Sequence, residues 1–211
     1  MTHLCLRNAT VADAVAIHRV ELQSWPAGLA ATLEQIRARL EVYPDGQWVA
    51  ERDGEVLGAV FAQRITQHFL DTVPKRYAAL TTDGTFERSH CPGGSVYQLV
   101  GVAVAPIHRK LGLGRRLVDQ QLKFARGLTG IQRVLGFTRP LGFHRAAEAD
   151  IKRYIAMRAA TGSPLDPMLA FHVEAGAVVV SVHADFRPAD DQARGYGVLI
   201  EYPIDEMRPK Q

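Results

Sequence analysis

"SVYQLVGVAVAPIHRKLGLGRRLV", residues 95–118, passes from an almost continuous apolar run into a basic stretch with two glycines two residues apart. The first half reads as a strand over 96–104, buried on both faces because its apolar character hardly alternates. Gly101 inside it marks a bulge or a close approach of another backbone. Downstream, Arg109-Lys110-Leu111-Gly112-Leu113-Gly114 opens a helix over 112–127. A helix start presents unpaired N–H groups and the positive end of the dipole, a seat for phosphate. Gly112 and Gly114 let the backbone touch a ligand without an intervening Cβ, and Arg109, Lys110, Arg115 and Arg116 add charge. A solvated basic face with turn glycines uses the same residue types. The serial order of strand, glycine, basic loop and helix favours the anion seat.

Working outward, "HLCLRNAT" alternates like a half-buried strand. Val11, Val15, Ile17, His18 and Leu22 then recur at helical spacing until Pro26. Thr32, with Gln35 three residues on, predicts a capping box for a second helix that ends at Tyr43 before Pro44. "QWVAERDGEVLGAVFAQRIT" reads as a hairpin around Asp53-Gly54. Residues 67–94, with Pro74, Gly84, Pro92 and Gly93-Gly94, read as a long insertion loop of the kind kept for a lid or substrate. Beyond the glycine helix come a strand over 131–138, a helix at about 145–160, a short helix ending at Gly176, and two closing strands, "AVVVSVHADF" and "YGVLIEYPI". The final "DEMRPKQ" reads as the start of a polar linker.

These elements suit a single α/β (α+β) domain over residues 1–211 around a mixed sheet. A net charge of +3 suits anionic small molecules or an acidic partner and argues against nucleic acid. Cys5 and Cys91 are too few for a disulfide framework or a thiolate zinc site. With no signal peptide and no long apolar span, the sequence points to a cytoplasmic chain that does not enter a membrane.

Strand, glycine, R-x-x-G-x-G and helix in series resemble the acyl-CoA binding motif of the GNAT N-acetyltransferase superfamily, with Arg109 where that family often has Gln or Arg. The resemblance covers nearly the whole chain. It implies a GNAT fold: a mixed, mostly antiparallel sheet flanked by helices, its central strands splayed so that pantetheine lies between them. It further implies that the main chain around Val102 and Val104 binds the pantetheine amide. The phosphates then fall to Arg109, Lys110, Leu111, Gly112, Leu113, Gly114 and Arg115. A coenzyme A thioester, malonyl-type or acetyl, is the implied substrate, with no metal and no prosthetic group.

Two departures from amine acetylation follow. Family members often place a carboxylate base on or beside the central strand, yet none occurs from Cys91 to Pro106. Where the family has an F-Y-x-x-x-G-F tyrosine, this chain has Phe171-His172-Val173-Glu174-Ala175-Gly176-Ala177. "T-R-P" at Thr138, "F-H-x-x-x-G-A", "F-R-P-A-D" at Arg187 and "G-Y-G-V-L-I-E-Y" are similar to the GNAT-like loading domains of polyketide synthases, which decarboxylate malonyl-type thioesters. GNAT domains fused to nitrilase-like hydrolases share the general C-terminal pattern.

The loading-domain resemblance implies that Thr138 and His172 hold the carboxylate and the oxyanion, the imidazole delivering a proton afterwards. Arg187 then orients the acyl group or receives the arm of an acyl carrier protein, and Trp25 lies near the acyl pocket. Each has a plainer reading. Thr138 suits a strand, His172 and Trp25 suit a core, and Arg187 suits a surface pair with Asp190 or Asp191. Two other functions compete: acetylation of an amine with a base from the insertion, Glu87, His90 or His68, and non-catalytic binding of acyl-CoA or a carrier protein.

Overall fold

A computed structural model describes residues 4–204; the reading of "DEMRPKQ" lies outside them. Asp53 and Gly54 both have positive φ, 53° and 83°, the sign pair of a type I′ turn. That turn joins β2 (Gln47–Arg52) to β3 (Glu55–Ile65) as the dipeptide foretells. With β1 (Leu4–Asn8), β4 (Val96–Val104), β5 (Arg133–Thr138), β6 (Val178–His183) and β7 (Gly197–Tyr202) they form one sheet in the order β1-β2-β3-β4-β5-β7-β6. Only β4 and β5 run parallel; every other pairing is antiparallel.

Helices cover both faces. α1 (Ala14–Ser24) and α2 (Leu33–Val42) pack Ile17, Val20, Ile36 and Leu40 against Val49, Ala59 and Phe61. The Thr32 capping box forms: Gln35 N–H donates to Thr32 Oγ1 (3.2 Å) and Thr32 N–H to Gln35 Oε1 (2.8 Å). The apolar stripe expected on α1 needs correction. Val11, Val15 and Leu22 are exposed, while Ala14, Ile17, Val20 and Glu21 face the core, a stripe shifted around the helix that keeps only Ile17.

The insertion is not a bare loop. It holds α3 (Gln67–Thr72) and α4 (Tyr77–Thr81), whose six and five residues are too short for a periodicity to emerge. Leu70, Leu80 and Phe86 bury it against the domain, and the Gln63 amide donates to Leu80 carbonyl (2.8 Å) and accepts from Ser89 hydroxyl (2.8 Å). On the opposite face α5 (Leu113–Gly127) buries Leu113, Leu117, Val118, Leu122 and Ala125 at helical spacing. The helix expected at about 145–160 is confined to α6 (Ile151–Ala156), started by Asp150 accepting from Lys152 N–H (2.8 Å) and stopped where Met157 turns extended.

α7 (Pro167–Glu174) begins at Asp166, which accepts from Met168 and Leu169 N–H, and ends in a Schellman motif. Ala177 N–H donates to His172 carbonyl (3.0 Å), Gly176 N–H to Val173 carbonyl (2.9 Å), and Gly176 takes φ +94°. That motif fixes the turn of helix carrying His172. Among the described residues no helix is long and apolar enough to cross a membrane.

Candidate functional site

β4 and β5 pair only from Val96↔Arg133 to Leu99↔Gly136. Val100 is the extra residue of a bulge against β3, since Phe61 pairs with Gly101 and Ala62 with Leu99. The bulge thus sits beside Gly101, where a Cβ would meet no protein atom within 4 Å, so the space it leaves belongs to the cleft rather than to another backbone. Beyond this point the two strands diverge. Ala105 N–H donates to Leu57 carbonyl (3.0 Å), so strand alternation turns the amides of Val102 and Val104 away from β3, toward the opening. The Val104 carbonyl already accepts from Ser24 hydroxyl (3.0 Å).

At the mouth, a 3-10 turn (Pro106–Leu111) leads through Gly112, at φ +69°, into α5. The residues expected to hold phosphate part company here. Leu113 is fully buried, so only its main chain can face a ligand, whereas Leu111 is exposed. Arg109 is exposed and donates to Ser24 carbonyl (3.2 Å). Arg115 is tied down, bonding Asp119 (2.8 Å) and the Glu174 carbonyl at the end of α7 (2.7 Å). The side chain of Lys110 lies outside the described residues.

The opening between the strands is a cleft whose lining includes all four residues expected at the reacting group: Trp25, Thr138, His172 and Arg187. Thr138 ends β5, is 4% exposed, and has no hydrogen-bond partner for its hydroxyl among the described residues. His172 is half-buried, and its Nδ1 lies 2.7 Å from the Tyr202 hydroxyl. Burial lowers this imidazole to about 4, so the ring is neutral at neutral pH.

Arg187 does not pair with an aspartate. Its guanidinium lies 3.9 Å from the centre of the Tyr77 ring and 5.4 Å from that of Trp25, and donates to Leu29 carbonyl (3.0 Å). Asp190 goes instead to Arg139, which grips it through Nε (2.7 Å) and Nη2. Burial lowers the pKa of Arg187. Beneath Trp25, the buried Glu21 accepts from Ala31 N–H (2.9 Å), and burial raises its pKa. The Trp25 indole N–H lies near enough to oppose that rise, yet makes no hydrogen bond of ordinary geometry with any described residue.

Glu87, His90 and His68 do not line this cleft. His90 stacks on Tyr43 at 4.3 Å, accepts from Arg64 N–H (3.2 Å), and is lowered to about 4 by burial. The insertion contributes Tyr77, whose N–H donates to Phe186 carbonyl (2.8 Å) and whose hydroxyl accepts from the buried Arg39 (2.8 Å). Tyr77, Met168, Tyr196 and Arg139 also line the cleft without a role legible in the sequence, which offers Asp190 only as a surface partner for Arg187. The Arg139–Asp190 pair falls in the "T-R-P" and "F-R-P-A-D" stretches and Tyr196 in "G-Y-G-V-L-I-E-Y".

Residues 14–148 match the Acetyltransferase (GNAT) family. The loading GNATL domain of CurA from Lyngbya majuscula is 27% identical and superposes with a TM-score of 0.88, covering 97% of this chain and 99% of that one. The GphF GNAT-like decarboxylase, solved in complex with isobutyryl-CoA, is 30% identical with a TM-score of 0.82, over 95% and 99% of the two chains. An uncharacterized N-acetyltransferase, YkwB, of Bacillus subtilis (strain 168) is 26% identical over 94% of this chain and 88% of its own length.

Proposed function

We propose that this chain, which belongs to the Acetyltransferase (GNAT) family, removes CO2 from malonyl-type thioesters of coenzyme A or a carrier protein and so supplies an acyl starter unit. One observation carries the reading. Thr138, His172 and Arg187 line a cleft in which the only acid among the described residues, Asp190, is held by Arg139. Amine acetylation calls for a group to take the ammonium proton. Decarboxylation calls for a carboxylate turned out of the thioester plane and for donors at the oxygen where charge develops.

As the C–C bond breaks, its electron pair passes into the thioester carbonyl and CO2 leaves. The Thr138 hydroxyl and the neutral His172 ring supply uncharged donors for that enolate oxygen, and Arg187, the cleft cation with no ion pair among the described residues, orients the carboxylate. The chain's similarity to the GphF decarboxylase and to the CurA loading domain supports this reading. An acyl carrier protein as acceptor is part of the proposal.

The test is mass spectrometry of malonyl-CoA and methylmalonyl-CoA incubated with the protein and no amine. Acetyl-CoA or propionyl-CoA above the protein-free control is expected. Intact substrate from protein that binds coenzyme A would overturn the proposal. The relationship to YkwB favours a second reading, N-acetylation; it predicts free thiol from acetyl-CoA that depends on an added amine.

A further inference from the structure

We infer that Tyr202, outside the cleft, fixes His172 in the tautomer that carries its single proton on Nε2, and is thereby a positioning residue for the ring's cleft-facing chemistry. The inference rests on the proposed decarboxylation for its catalytic meaning, while the tautomer itself is independent of it.

Tyr202 closes β7 and is 2% exposed. It packs in the same cluster as Val198 and Ile200, on the face covered by α5 and α7, and does not line the cleft. Its hydroxyl has one partner among the described residues, His172 Nδ1 at 2.7 Å. The rings lie 6.4 Å apart at 70°, so the contact is a directed hydrogen bond and not a stack.

The phenol keeps its proton, because burial raises its pKa and the nearby charges, Arg115 and Asp119, act in opposite senses. A phenol that accepted from Nδ1–H would leave its own buried O–H unpaired, at a cost of about 1–3 kcal/mol. Donation to Nδ1 satisfies both atoms. The ring's proton then stands on Nε2, which has no protein partner among the described residues and is free for a substrate oxygen.

A neutral imidazole backed by a neutral phenol is a hydrogen-bond donor rather than a source of protons, since losing Nε2–H would leave an imidazolate. The enolate carbon therefore takes its proton from water, releasing hydroxide, and His172 only stabilises the oxygen. This departs from the delivery by imidazole that the sequence resemblance implies.

The first experiment is a long-range 1H–15N correlation spectrum of the wild-type protein, labelled at histidine, at pH 7. A protonated Nε2 and a bare Nδ1 at His172 are expected; the reverse pattern or an even mixture would overturn the inference. Tyr202→Phe is expected to mix the tautomers and to lower kcat on malonyl-CoA about tenfold, short of the loss of a whole donor, with KM within twofold. 3-Fluorotyrosine at 202, which keeps the donor, is expected to restore both. An unchanged spectrum and kcat in Tyr202→Phe would reduce Tyr202 to packing. If Tyr202→Phe does not fold, the wild-type spectrum decides alone. A protein with Nε2–H that leaves malonyl-CoA intact would defeat the proposed function and leave this inference standing.

Discussion

Arg139 holds Asp190 through both Nε and Nη2, and with Asp190 only 1% exposed this pair takes the one acid out of play in the cleft lining among the described residues. The same carboxylate accepts from Ala193 N–H (3.1 Å) and shapes the loop that follows Arg187. Removing one partner of a buried pair leaves an uncompensated charge, at a cost of about 3–5 kcal/mol. Asp190→Asn should therefore lower the free energy of unfolding by about 3 kcal/mol, read from urea denaturation. A midpoint equal to that of wild type would show that the pair does not act as a buried one.

Losing one donor to a developing oxyanion typically slows a reaction by about 100- to 1000-fold. Thr138→Val and His172→Ala are each expected to reduce malonyl-CoA decarboxylation by that order, with coenzyme A affinity by calorimetry unchanged. Near-normal rates in both would remove the proposed site.

The role proposed for Arg187 is to separate substrates by charge. Charge-assisted hydrogen bonds contribute about 1.5–3 kcal/mol, so Arg187→Met should weaken malonyl-CoA by about tenfold or more and leave acetyl-CoA nearly unaffected. Equal losses for the two ligands would assign Arg187 to the walls of the cleft rather than to a carboxylate.

The histidines set an acid limit. His172 and His90 both fall to about 4 when folded, below their ordinary 6.5. Between these values the unfolded chain binds protons that the folded one does not, so stability rises with pH across this window and is lost as pH falls from 6.5 toward 4. Urea midpoints should decline from pH 7 to pH 5, while kcat, on the role proposed for a neutral His172, holds nearly level. An acid limb in kcat centred near 6.5 would contradict the buried, neutral ring.

Two glycines where the chain enters α5 should behave differently. Gly112 sits at φ +69°, where an L side chain is strained by about 1–2 kcal/mol. At Gly114 a Cβ would meet Phe171 at an ordinary 3.6 Å. Gly112→Ala is expected to lower both stability and coenzyme A affinity, and Gly114→Ala affinity alone, by thermal melts and calorimetry.

Local chemistry made much of this molecule legible from its residues. Asp53-Gly54 forces its turn by the sign of φ, Thr32 and Gln35 cap each other, and Gly176 closes α7, each settled within a few positions. The four residues expected near the reacting group do line one cleft: Trp25 caps α1 and Thr138 ends β5, while His172 lies within α7 and Arg187 in the loop after β6. What stayed hidden depends on long-range pairing. Asp190 is 51 positions from Arg139 and Tyr202 is 30 from His172, and no spacing rule links them. α3 and α4 escaped because short helices take their stability from burial, here of Leu70 and Leu80, rather than from periodicity.

The parting of β4 and β5 beyond Leu99 and Gly136 leaves the sheet with an open seam between two strands that stay paired on their outer sides, to β3 and to β7. A thioester lying there would act as a temporary rung, bridging the seam that the proposed function makes its seat. Binding to the folded state alone at a hundred times Kd adds about 2.7 kcal/mol to stability. Resistance to heat and proteolysis should therefore follow the supply of acyl-CoA, and the chain should be most perishable when it has nothing to work on.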